Sequence, residues 1–308
     1  MSHDGLIALA AAAPAACLAA CLAVGAVLAG RLLRPRVFSL AETFAIERDK
    51  GYFAHAGFED LARREVTVAS PFGYTLAGTY LPLHGSGKTV ILLHGYTYTR
   101  HGSAKYLKPF REAGYNALLV DLRGHGASGG RTVTFGHFEA RDLAAWMAWV
   151  QAENGPGAPV GLHGESLGAA VALQYAALEP RISFVVADCA FSDLGRLLAF
   201  RLRADFRLPP FPFLYIAEAA ARLLGGGMRV SRIVPLESAA AIGAPVLFIH
   251  GEADEFTPAS MSLEMFAARA GKPGGIHLAP GAGHARSFAV DPEAYDRLVA
   301  GFLGDYVP

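Results

Sequence analysis

Seven short apolar runs recur along the chain, at residues 64–70, 76–81, 89–95, 116–122, 159–164, 183–189 and 245–251. Most are apolar throughout rather than alternating, the pattern of strands buried on both faces of a mostly parallel sheet. Stretches with helical spacing stand between them, at 106–114, 139–153, 167–179 and 260–270. Parallel strands need long crossovers, and helices supply them, so the alternation predicts an α/β domain with a central sheet covered by helices on both faces. Beyond the N-terminus there is no internal repeat and no long low-complexity linker, so one domain accounts for the pattern.

Composition narrows the function classes. The 308 residues carry 27 Lys and Arg against 27 Asp and Glu, a balance that argues against a nucleic-acid binder. With 53% hydrophobic and 18% charged residues, the chain has enough apolar surface to offset its conformational entropy by burial. The three cysteines, Cys17, Cys21 and Cys189, suit neither a disulfide framework nor a zinc site.

Part of the hydrophobicity comes from residues 5–30, which contain no formal charge. That is long enough for a helix to cross the hydrocarbon core, although the stretch is Ala-rich and interrupted by Pro14. No Lys or Arg precedes it, and Arg31, Arg34 and Arg36 follow, which favours a single span with the C-terminal side in the cytoplasm. A cleaved secretory signal is the rival, but the basic leading region is missing. Leu18-Ala19-Ala20-Cys21 also has the form of a lipoprotein processing box, with nine apolar residues still to come after the cysteine. The expected organisation is an anchor and basic flank over 1–36, a juxtamembrane segment over 37–64 and the α/β domain over 65–308. Removing residues 1–30 is then expected to leave an active soluble domain.

The strongest chemical motif is Gly164-Glu165-Ser166-Leu167-Gly168. It follows one apolar run and opens a helical one, the strand–turn–helix setting of a nucleophile elbow. The flanking glycines admit a turn too tight for side chains, which would present the Ser166 hydroxyl at the C-terminal edge of the sheet. The Leu167 N–H, at the start of the helix, points where an oxyanion would develop.

Further motifs follow in order. His94-Gly95-Tyr96-Thr97 ends one strand, and Asp121-Leu122-Arg123-Gly124-His125-Gly126-Ala127-Ser128-Gly129 follows the next. Thr134, Gly136, Glu139 and Asp142 then lead into the helix before the nucleophile strand. In these the chain resembles the α/β-hydrolase superfamily over nearly all of residues 65–305, and most of all its membrane-anchored bacterial serine hydrolases of the esterase, lysophospholipase and S9-peptidase kind. The resemblance implies the α/β-hydrolase fold, with a small helical cap and an N-terminal transmembrane helix. It makes the Tyr96 N–H a second oxyanion donor. It also implies a base at His284, in the Gly-rich loop after the strand at 274–280. The run from His250 to Pro258 resembles the family's H-G-x-x-D-x-x-V-P and so implies Asp254 as the acid; Thr257 replaces the family's Val.

Other residue types at these strand ends have plainer readings. His94, His163 and His250 each precede a glycine and suit buried, hydrogen-bonded positions; His125 ties down its turn and His277 sits within a strand. His101 is either near the pocket mouth or a solvated loop residue. Glu252 and Glu255 are solvated neighbours of Asp254. Asp188 and Asp193 offer a second acid position, weighed against strand-end or helix-capping roles, and Glu165 has no evident purpose. Gly124 to Gly129 also satisfies G-x-G-x-x-G, but no helix follows at once, as a dinucleotide site requires. Gly87-Lys88-Thr89 precedes its strand instead of following one, so it is a turn and not a phosphate loop.

The sequence therefore predicts a serine hydrolase, without cofactor or metal, that cleaves carboxylic esters through Ser166, His284 and Asp254, with Tyr96 and Leu167 as oxyanion donors. Amide or peptide hydrolysis and acyl transfer fit the same residues, and a non-catalytic membrane-tethered binding scaffold is the reading from a different class. The expected partners are a small or lipid-like acyl substrate and the membrane, and no nucleic acid. Residues 194–236 are too long and apolar for a simple connection. The resemblance makes them a cap, in which Phe200, Phe206, Phe211, Phe213 and Leu214 are expected to line an acyl pocket.

Overall fold

The computed structural model describes residues 3–307, with side chains from Ala16 onward apart from Cys17. Eight strands form one sheet: β1 (Arg64–Ala69), β2 (Thr75–Leu81), β3 (Thr89–Leu93), β4 (Asn116–Val120), β5 (Val160–Glu165), β6 (Ile182–Asp188), β7 (Val246–Gly251) and β8 (Gly274–Ala279). Their order is β1-β2-β4-β3-β5-β6-β7-β8. Strand β2 runs antiparallel to both β1 and β4, and every other pairing is parallel. β3 and β4 are buried at every position, as their unbroken apolar runs require. β1 carries the alternation of an edge, with Val66 inward between exposed neighbours.

The helices are α1 (His3–Leu33), α2 (Leu40–Asp49), α3 (Tyr52–Ala56), α4 (Leu107–Glu112), α5 (Glu139–Asn154), α6 (Leu167–Ala176), α7 (Leu194–Phe206), α8 (Pro210–Leu224), α9 (Pro235–Ala241), α10 (Ser260–Ala267), α11 (Ser287–Val290) and α12 (Pro292–Tyr306). They cover two cores. One gathers Ile91, Leu118, Leu143, Trp146, Val171 and Val185 against α5 and α6. The other gathers Val90, Leu92, Phe110, Phe184, Val299 and Phe302 against α4 and α12.

Residues 37–64 are not a connector. Ser39 caps α2 by accepting from the Glu42 N–H at 3.1 Å, while the Glu42 carboxylate accepts from the Ser39 N–H at 2.7 Å. This reciprocal pair satisfies two backbone donors that the helix itself leaves free. Phe53 and Phe58 are fully buried in the second core. Burying an aromatic side chain contributes about 1.5–3 kcal/mol, which holds these helices on the domain.

The end of α1 is integrated too. Leu33 lies in the first core, its carbonyl accepts from the Val133 N–H at 2.8 Å, and Ala29 is buried. The last turn of α1 therefore fills core space, a use of residues 29–33 that the anchor reading of 1–36 did not include. Among the described residues no helix is long and apolar enough to cross a membrane. The side chains of residues 5–15 and of Cys17, much of the expected span, lie outside those described.

Both phosphate-loop look-alikes resolve as turns. The Gly124 N–H bonds to the Gly129 carbonyl at 2.9 Å, closing a loop that α5 follows only ten residues later. Asp121 organises it, accepting from the Ala127 N–H at 2.9 Å and pairing with Arg100 at 2.6 Å. Gly87-Lys88-Thr89 joins β2 to β3.

Candidate active site

Ser166 sits between β5 and α6 with φ 52° and ψ −110°, a conformation L residues rarely adopt. Its neighbours leave no alternative. A Cβ on Gly164 would lie 2.4 Å from the Ala169 nitrogen, and one on Gly168 would lie 2.4 Å from the Leu93 carbonyl oxygen. Only glycine admits the crossing of strand and helix, and the backbone is fixed further by the Ser166 N–H donating to the Asp188 carbonyl at 2.8 Å.

The Ser166 hydroxyl lies 2.9 Å from His284 Nε2, and His284 Nδ1 lies 2.7 Å from Asp254 Oδ2. His284 comes from the loop after β8 and Asp254 from the loop after β7, so three strand ends converge on one chain of hydrogen bonds. Asp254 Oδ1 accepts from the Phe256 and Thr257 N–H groups, both at 2.8 Å, which aims the other oxygen at the imidazole. Burial works to raise the Asp254 pKa. Bonds from His250 and His284 and from the Thr257 N–H outweigh it, holding the carboxyl well below the usual range. Phe256 covers the imidazole with ring centroids 4.8 Å apart, and Arg201 of α7 lies over the Phe256 ring at 4.3 Å.

The Leu167 N–H opens α6, where no intrahelical acceptor exists for it. Tyr96 stands across from it in the loop after β3. Its ring stacks on Phe135, and its hydroxyl donates to the Leu32 carbonyl at 2.8 Å, tying this loop to the end of α1.

The remaining histidines take structural places. His94 Nδ1 lies 2.8 Å from the Gly95 carbonyl and its Nε2 accepts from the Leu122 N–H at 3.0 Å; burial pushes its pKa down to about 4. Burial likewise lowers His125 to about 4 and His163 to about 3. His250 links Ser262 to the Thr257 carbonyl beneath Asp254. His277 is exposed on β8. His101 is neither at a pocket mouth nor solvated: it packs against Phe44 and bonds to the Leu40 carbonyl. Asp193 caps α7 through the Arg196 N–H, and Asp188 is fully buried at the end of β6, where it accepts from the Ser287 hydroxyl at 3.2 Å. Asp254, not Asp188, is the carboxylate bonded to His284. Among the described residues no group of three or more His, Cys, Asp or Glu side chains is placed to hold a metal ion.

Glu165 acquires a place. Its carboxylate accepts from Lys105 Nζ at 2.7 Å and from the Tyr106 hydroxyl at 2.5 Å, beneath Ser166. Burial opposes the charge on both partners, and their mutual attraction outweighs it: Glu165 is shifted down and Lys105 up.

Two cavities meet at Ser166. An apolar one of about 260 Å³ runs between α1, α7 and α8 and includes Phe206 and Leu214. Phe200, Phe211 and Phe213 do not line it, which corrects the expectation for those three; Phe211 is 73% exposed. The amphipathic phase of α7 instead turns Leu194, Leu197, Leu198 and Leu202 inward, and α1 supplies the opposite wall. A second cavity, of about 360 Å³, has a mixed lining in which Glu47, Lys50, Lys105, Glu165 and Arg286 stand beside Tyr52, Tyr98 and Phe256. Sequence reasoning missed Glu47, Lys105, Phe256 and the α1 wall; the Ser39–Glu42 capping box was the one local sign that residues 37–64 fold.

Comparison with known proteins agrees with this architecture. The family described as the alpha/beta hydrolase fold matches residues 88–214. The uncharacterised protein YqkD of Bacillus subtilis is 33% identical over 286 residues, spanning 92% of this chain and 93% of that protein. The chain belongs to the α/β-hydrolase family. Among solved structures, the Pyrococcus furiosus esterase Pf2001 superposes with a TM-score of 0.67 at 27% identity, covering 89% of this chain and 98% of that one. An acylaminoacyl peptidase of Pyrococcus horikoshii shares the fold at 17% identity, with a TM-score of 0.60, 79% of this chain and 41% of that one.

Proposed function

We propose that this chain is a serine hydrolase acting on acyl substrates, carboxylic esters first, with Ser166 as nucleophile, His284 as general base and acid, and Asp254 as the group that orients the imidazole. The observation that carries the reading is the hydrogen-bond chain from Asp254 through His284 to a strained serine at a strand–helix turn. In this mechanism Ser166 Oγ bonds to the acyl carbon as its proton passes to His284 Nε2. The Tyr96 and Leu167 N–H groups receive the developing oxyanion, a role in which one donor is worth about 10²–10³ in rate. Collapse expels the alcohol, protonated by His284, and water activated by the same imidazole then releases the acid. The esterase likeness favours esters over amides, whose hydrolysis would use the same groups. The family's own fold decides nothing between them.

The test is turnover of an ester, thioester and amide panel by the wild type and Ser166→Ala. Ester hydrolysis that falls below about a hundredth in the variant is expected; unchanged turnover would place the nucleophile elsewhere, and no turnover of any acyl substrate by the wild type would favour the scaffold.

We also propose that residues 5–30 associate with the membrane and leave the domain in the cytoplasm. The apolar composition and Arg31, Arg34 and Arg36 support this, as do the outward-facing Leu18, Leu22, Val24 and Val27. Protease added outside intact cells should spare the domain; digestion would overturn the orientation.

A further inference from the structure

Helix α8 keeps an apolar stripe on its outer side. Phe211, Tyr215, Ala219 and Leu223 recur every four residues and are all exposed, Phe211 at 73%, Tyr215 at 68% and Leu223 at 84%. The helix packs side by side with α1, so closely that a Cβ on Gly25 would lie 2.3 Å from Ile216 Cγ2. Extending the membrane association proposed for residues 5–30, on which this inference rests, we propose that the cap itself is a docking surface for an anionic lipid bilayer. The α8 stripe enters the boundary between headgroups and acyl chains beside α1, the cap arginines bind the headgroups, and the catalytic domain stands on the membrane cap side down.

Soluble monomers rarely leave large contiguous apolar patches in water, and here the Phe211 and Tyr215 rings meet edge to face at 5.8 Å on the open side of the helix. The neighbouring α1 adds Leu18, Leu22 and Val27, each at least half exposed. Two helices packed together share one environment, so α8 follows α1 toward the lipid. It cannot go deep, because its Glu218 and Arg222 would be costly to place in hydrocarbon. An interfacial position satisfies both demands, with the stripe sunk about 5–10 Å and the charges at headgroup level.

Charge selects the kind of bilayer. The whole chain is balanced, with 27 Lys and Arg against 27 Asp and Glu, yet residues 194–236 hold seven arginines against two acids, Asp205 and Glu218. Arg196 and Arg201 are paired with Glu264 and Asp205. The other five, Arg203, Arg207, Arg222, Arg229 and Arg232, are exposed. Basic side chains this close to a surface are drawn to anionic headgroups, an attraction that fades within a Debye length. A second copy of the chain is the other candidate to cover the stripe. Docked face to face about a two-fold axis, it would set arginine against arginine, which disfavours it.

The test reads the cap directly and needs no catalysis. Full-length Tyr215→Trp is reconstituted with phosphatidylcholine vesicles, with and without phosphatidylglycerol, and quenched by acyl-brominated lipid; the wild-type emission of Trp146 and Trp149 is subtracted. With phosphatidylglycerol present, the added emission should shift to the blue and be quenched. Leu178→Trp, exposed outside the cap, should stay unquenched. At the phosphatidylglycerol content that gives half-maximal quenching, Arg207→Gln or Arg222→Gln should lower the ratio of docked to undocked cap about fivefold, the worth of one arginine at an anionic surface. If Tyr215→Trp does not fold, Leu223→Trp takes its place. Quenching of Tyr215→Trp no greater than that of Leu178→Trp, or indifferent to phosphatidylglycerol, overturns the proposal. So does a blue shift that grows with protein concentration and resists brominated lipid, which would mean that a second copy covers the stripe. If the wild type floats with the vesicles in those cases, only this inference fails; if it does not float, the membrane association of residues 5–30 fails as well.

Discussion

Asp188→Asn should change how stability depends on pH while leaving the fold intact. Asp188 is fully buried beside the Ser166 turn, and its Oδ2 has no hydrogen-bond partner. Burial, reinforced by the Glu165 charge, pushes its pKa from 3.8 up to about 7. The folded state therefore holds a proton that the unfolded chain releases near pH 4. Between these values the folded state binds more protons, so this group's contribution is fully present below pH 3.8 and is lost as pH rises to about 7. A shift of about three units at 1.36 kcal/mol each amounts to about 4 kcal/mol. Asparagine keeps the shape and a donor at the Oδ2 position without the ionisation. Asp254 and Glu165, whose pKa values are lowered, act in the opposite sense. The useful quantity is therefore the difference between variant and wild type. Urea denaturation of both proteins from pH 4 to 8 should give a difference that moves in favour of the variant by about 4 kcal/mol, nearly all of it below pH 7. A difference that stays flat would mean that Asp188 is ionised at no unusual cost, and the burial argument would fail.

Asp254→Asn should leave the circular dichroism spectrum unchanged and lower kcat by about 10⁴, since the amide holds the wrong imidazole tautomer. Gly168→Ala should cost about 1–3 kcal/mol in thermal denaturation and remove ester turnover, because the new methyl meets the Leu93 carbonyl at 2.4 Å. Leu33→Ala should lower denaturation free energy by about 2–5 kcal/mol, the cost of a cavity in the core; a change under 0.5 kcal/mol would detach α1 from the domain.

The sheet was legible because the strands buried on both faces have no polar face to obscure their apolar runs. Ser166 was legible because the steric demand for Gly164 and Gly168 leaves a local mark. His284 and Asp254 lie 118 and 88 residues from Ser166 in the chain, and only a family resemblance connected them to it. What escaped were features decided by tertiary partners. The capped helix α2 looked like a mixed connector because its buried face includes Thr43 and Glu47, polar residues whose burial only the packed domain reveals. The phenylalanines of the cap looked like pocket lining because side-chain type alone carries no direction. Phe211 turns outward at the start of α8, and the leucines of α7 take the inner face. Likewise, the apolarity of α1 suits a lipid environment and a protein core equally, and only Ala29 and Leu33 in place reveal the second use.

The most direct measurement is peptide mapping of the purified full-length protein after reaction with a fluorophosphonate. One stoichiometric adduct is expected, on Ser166, with no labelling of Ser166→Ala and parallel loss of ester turnover. An adduct on another residue, or an unlabelled protein that still hydrolyses esters, would contradict it.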